Sequence, residues 1–83
     1  MIELTDALEQ MMGEYVDIYT KHRFFGSQHI QMKFDPETQK GFGFHCKGQS
    51  IYIGDNEVVG YNIENSKVIV KGKDMTIVIV KGA

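Results

Sequence analysis

Residues 67–80, KVIVKGKDMTIVIV, constrain the fold of this chain more than any other stretch. Two β-branched runs, KVIV and MTIVIV, are joined by KGKD, a connection so short that the two strands must run antiparallel. Neither run alternates. Both are apolar at successive positions, the pattern of strands covered on two faces. A sheet that contains them must therefore cover both of its sides at this end. Either it closes into a barrel, or the chain covers one side and a partner covers the other.

The strand period extends well upstream. Ile30, Met32 and Phe34 alternate with polar neighbours, Asp35-Pro36 opens a turn, and Phe42, Phe44 and Cys46 alternate with Gly41, Gly43 and His45. This predicts a hairpin in which Phe34 faces Phe42, Met32 faces Phe44 and Ile30 faces Cys46, all on one surface. Further strands are expected at residues 50–53, 58–63, 67–70 and 75–80, separated by KGQ, GDNE, ENS and KGKD, each rich in turn-forming residues.

Ahead of the strands the period is different. At 100° per residue, Leu4, Ala7, Leu8, Met11, Met12, Tyr15, Ile18, Tyr19 and His22 share one face, and Asp6, Glu9, Gln10, Gly13, Asp17 and Lys21 the other, with Val16 the one large apolar outlier. Asp6 followed by Glu9 resembles a capping box, and Thr5 is an alternative cap. A competing reading makes residues 14–22 a strand, because Val16, Ile18 and Thr20 alternate and Gly13 could end a shorter helix. The helical pattern accounts for more residues, so a helix over about 4–23 is expected. The resulting architecture is α+β in one domain spanning 1–83. One N-terminal amphipathic helix packs on a five- or six-stranded antiparallel β-meander over about 28–81, as an open curled sheet or a partly closed barrel.

Residues 40–44, KGFGF, resemble the RNA-contacting signature of cold-shock and RNA-recognition-motif domains, in which two aromatics on one strand stack on bases. MKFDPETQ before it and SIYI after it extend the likeness to about 22 residues. The resemblance implies exposed Phe42 and Phe44 beside Lys40. The residue that follows the second aromatic points into the core in those families and is aliphatic, whereas here it is His45. The opposite face of the expected hairpin, Gly41, Gly43, His45, Gln31 and Lys33, cannot form a core. Phe42 and Phe44 are therefore expected to pack inward.

Catalytic and metal chemistry find little support. His22, His29, His45 and Cys46 lack paired-ligand spacing, and no metal or other cofactor is expected. Cys46 shares the apolar face with Phe44, where a thiol is inert. No nucleophile elbow or phosphate-cradling glycine loop is present, and Asp35, Glu37, Asp55 and Glu57 fall in turns, where carboxylates are ordinary solvating groups. An enzyme is not expected.

A net charge of −2 and a pI near 5.8 provide no electrostatic drive toward duplex nucleic acid. With one cysteine, no basic-apolar leader and no apolar stretch of about 20 residues, the chain is expected to be cytoplasmic, with no membrane partner. The expected function is a small non-enzymatic protein-interaction or regulatory module that forms a homodimer or binds another protein. Its contact surface would be Val68, Val70, Ile77 and Ile79 or their neighbours of opposite parity, with Tyr52 and Tyr61 as aromatic anchors. The alternative is a single-stranded nucleic-acid-binding domain using Lys33, Lys40, Phe42 and Phe44.

Overall fold

The computed structural model describes residues 2–82. An N-terminal helix α1 (Ile2–Gln10) is followed by β1 (Tyr15–His22), β2 (Gly26–Lys33), β3 (Pro36–Glu37), β4 (Gly41–Cys46) and β5 (Gln49–Gly54). After a 3₁₀ turn (Asp55–Glu57) come β6 (Val58–Ile63), β7 (Lys67–Gly72) and β8 (Met75–Lys81). All strand pairings are antiparallel. They form a five-stranded sheet in the order β2-β1-β8-β7-β6 and a three-stranded sheet in the order β3-β4-β5, neither of them closed. The α+β class with a leading helix and antiparallel strands agrees with the sequence. The strand count and the single meander do not: eight strands in two sheets replace five or six in one.

The helix is half the expected length. It ends where Gly13 takes φ +80°, a left-handed conformation that costs glycine little and other residues more. Gly13 N then donates to Phe34 O at 2.9 Å, and Phe34 N donates to Glu14 O at 2.8 Å, fixing the chain as it turns into β1. The strand reading of residues 14–22 is thus the correct one. Val16, the residue the helical wheel leaves out, is wholly buried, whereas Tyr15 and Tyr19 on the supposed apolar stripe are exposed.

The expected hairpin is also rearranged. With residues 15–22 in a strand, β2 has a partner three residues away, and it pairs with β1 in the register Val16↔Met32 and Ile18↔Ile30. Adjacent elements joined by short turns pair preferentially. Phe34 and Phe42 are therefore not cross-strand neighbours. Instead β4 lies between β3 and β5, with Phe44 opposite Pro36 and Ile51.

One core lies between the layers. The inner face of the large sheet contributes Val16, Ile18, Val68, Val70, Ile77 and Ile79; the small sheet contributes Phe42, Phe44 and Ile53; α1 contributes Leu4 and Leu8. Leu4 and Leu8 recur at i and i+4 on one helix face, which is why so short a helix docks. The expectation that Phe42 and Phe44 pack inward is met, at 5% and 0% exposure.

Candidate functional site

Register places the solvent-facing surface of the five-stranded sheet residue by residue. His29, Tyr19, Val78, Ile69 and Asn62 form one row across the five strands. Beside it run Gln31, Asp17, Val80 and Lys67, and on the other flank Ser27, Lys21, Thr76 and Lys71. The centre is apolar. Tyr19, Val78, Val80 and Ile69 stand together, with Tyr15 exposed at the end of β1. Polar and charged side chains surround them. A shallow cleft of about 350 Å³, lined in part by Tyr19, Lys21, Ser27, Thr76 and Val78, opens at one margin.

One edge of this surface is ordered by its own hydrogen bonds. Gln31 Nε2 donates to Asp17 Oδ1 at 2.8 Å, and His29 Nε2 lies 2.8 Å from the same oxygen. The Gln31 hydrogen bond, followed by that of His29, holds the Asp17 carboxyl below the usual carboxylate range, with burial acting weakly the other way. The His29 ring stacks on Tyr19 with centroids 4.4 Å apart and planes 4° from parallel. Tyr19 is held in place while remaining exposed.

The outer face of the small sheet explains the glycines of KGFGF. Gly43 pairs with Tyr52 and Gly41 with Gly54, and a Cβ on Gly41 would stand 2.7 Å from Tyr52 Cδ2. A Cβ on Gly43 would run into the Ile51 carbonyl and Tyr52 itself. Both glycines admit the close approach of β5, whose Ile53 and Ile51 carbonyls, as well as Tyr52, a Cβ would strike. On the same face Ser50 Oγ is 2.9 Å from His45 Nδ1, and His45 Nε2 is 3.5 Å from Glu37 Oε2. Glu37 is buried, and its Oε1 accepts a hydrogen bond from Gln39 N at 2.8 Å. That bond leads the causes that lower its carboxyl below the usual range; burial opposes it, and Lys40 and His45 add to it. Serine, imidazole and carboxylate are in line, as in a nucleophilic relay. Here the row lies on the outer face of the small sheet and links side chains of β5, β4 and β3.

The residues expected to make contacts are distributed differently. Val68, Val70, Ile77 and Ile79 are at most 2% exposed and belong to the core, so they offer no surface; their neighbours of opposite parity, Ile69, Val78 and Val80, face outward. Tyr61 is partly exposed, but it pairs with Val70 on the edge strand β6 and lies on the inner side of the sheet. Tyr52 is on the other sheet. The alternative nucleic-acid set is likewise dispersed: Phe42 and Phe44 present no face to solvent, Lys33 ends β2, and Lys40 precedes β4.

The three histidines occupy three separate places. His22 Nδ1 accepts from Phe24 N at 3.0 Å, while His29 and His45 each face a different carboxylate. Among the described residues no three metal-ligating side chains converge, and no helix is long and apolar enough to cross a membrane.

Periodicity has nothing to say about Phe24 and Phe25, consecutive residues in the β1–β2 turn, which are 69% and 83% exposed. Two adjacent aromatics have no period, and the only available signal is that both fall in a turn. Comparison with protein-family models, curated proteins and solved structures yields no match.

Proposed function

We propose that this protein is a non-catalytic contact module that self-associates through the outer face of its five-stranded sheet. A single observation carries the reading: β7 and β8, the most apolar strands of the chain, have their inner residues buried while Ile69, Val78 and Val80 face outward beside an exposed, stacked Tyr19. An apolar centre inside a polar rim is the anatomy of a protein interface.

A second copy of the chain suits this surface. A two-fold axis parallel to β8, lying over the outer face between the two copies' sheets, lays Val78 on Val78 and Tyr19 on the second copy's Ile69, and sets Asp17 against the second copy's Lys67. Lys21 and Lys71 meet at the margin, where water and salt screen them. The arrangement covers the side of β7 and β8 that the chain itself leaves open. Phe42 and Phe44 support no stacking platform, because both rings are buried.

Light scattering across the micromolar range is the test. The wild-type chain is expected to be dimeric, and Val78→Asp and Tyr19→Glu each monomeric with unchanged circular dichroism. A wild-type chain that stays monomeric throughout, or a dimer indifferent to both substitutions, would overturn the reading.

A further inference from the structure

The chain contains five phenylalanines, and the fold treats them in two ways. Phe34, Phe42 and Phe44 are at most 5% exposed, whereas Phe24 and Phe25 project from the tip of the β1–β2 hairpin. That tip is ordered. Arg23 N donates to Asp74 O at 2.7 Å, tying the turn to the β7–β8 turn beside it, and the Arg23 guanidinium lies 3.7 Å from the Asp74 carboxylate. His22 packs against Phe25 at 4.6 Å between ring centroids, and the Arg23 guanidinium sits 5.3 Å from the centre of the Phe24 ring. The two rings are held out by structure.

Cations share this end of the sheet. Lys21, Arg23 and Lys73 line one cleft at this end with Asp74, and Lys71 pairs with Thr76, the strand neighbour of Lys21. These are four of the nine lysines and arginines of the chain against two carboxylates, Asp74 and, in the adjoining cleft beside Lys73, Glu57. A chain of net charge −2 thus has a positive end capped by two exposed aromatic rings.

We propose that this end docks on an anionic lipid bilayer, with Phe24 and Phe25 seated at the boundary between headgroups and acyl chains and Lys21, Arg23, Lys71 and Lys73 facing headgroup phosphates. Apolar residues inserted into the interface and flanked by basic ones make up the usual pairing for peripheral attachment. The shape decides between partners. Both rings project from a hairpin turn, and a fluid bilayer accepts projecting rings without a matching pocket, which a folded protein would have to supply. Nor are the rings a base-stacking platform, since His22 lies against both of them at tilts of 49° and 38°. The proposal departs from the sequence expectation of no membrane partner, which concerned spanning segments.

The chain has no tryptophan, so Phe25→Trp installs a single reporter at the tip. Vesicles of phosphatidylcholine with phosphatidylglycerol are expected to shift its emission to the blue and to sediment the wild-type chain, with both effects reversed by salt. Phosphatidylcholine alone is expected to do neither. Lys71→Gln with Lys73→Gln is expected to weaken sedimentation about 25-fold, at roughly fivefold per cation. Phe24→Ala with Phe25→Ala is expected to abolish sedimentation without moving the melting temperature, because both side chains are exposed. Absence of wild-type sedimentation, retained binding by the double alanine variant, or a blue shift induced by a single-stranded oligonucleotide or an acidic peptide without lipid would each overturn the proposal.

Discussion

Glu37 shows how much one side chain depends on its place. In the sequence it is an acid in a turn; in the fold it is a buried carboxylate held by Gln39 N and facing His45. Its pKa lies below the ordinary value, so folding favours the charged form. The stability this contributes is complete above the usual glutamate range and is lost as pH falls through the lowered folded value. Glu37→Gln keeps the shape but exchanges a charge-assisted hydrogen bond for a neutral one, and is expected to cost about 1 kcal/mol near neutral pH. Urea unfolding of both proteins against pH checks the sign: the gap should narrow as pH drops below about 4. The glycines of KGFGF belong to the same scale. Their alternation was legible, but its reason, room for the β5 backbone and Tyr52, depends on residues eight or more positions away.

At the scale of elements, residues 2–23 hold the main surprise. A stripe at 100° per residue and an alternation over 15–22 coexist in the same letters, and propensity separates them weakly. Pairing decided the outcome: as a strand, this segment bonds to β2 on one side and β8 on the other. Gly13 marks the boundary. Gly13→Ala forces a non-glycine residue into the left-handed region and is expected to destabilise the fold by roughly 1–2 kcal/mol, with Gly13→Asn costing less. If instead the helix ran on through residue 13, alanine would stabilise it. Chemical denaturation of the two variants separates these outcomes. The later strands, from 50 onward, sit within two residues of where their turns predict, because each is bounded by residues with a local conformational reason to break the chain.

At the scale of the molecule, α1 and both sheets share one core, and the chain should unfold as a unit. A stability of about 4–12 kcal/mol is typical for this length. Leu8→Ala removes a fully buried side chain and is expected to cost about 2–5 kcal/mol, a large share of the total. Coincident loss of far-ultraviolet dichroism and tyrosine signals at a lower melting temperature would show the helix to be integral; an unmoved midpoint would show it to be an appendage. The proposed contact surface also belongs to this scale. The sequence indicated that β7 and β8 are apolar on both faces, but not which face is inner, because two faces of equal character leave parity undetermined.

What the chain's own letters settled was local and periodic: the α+β class, the turns, the late strands, the apolar side of the KGFGF strand and the double-sided character of residues 67–80. What required tertiary structure was everything that depends on a partner distant in sequence. This includes the conversion of 15–22 to a strand, the division into two sheets, the burial of Glu37, and the tie between the β1–β2 and β7–β8 turns through Arg23 and Asp74. Period reports how one segment meets a surface. Which surface it meets depends on competition among all the segments at once, and only the folded chain resolves that competition.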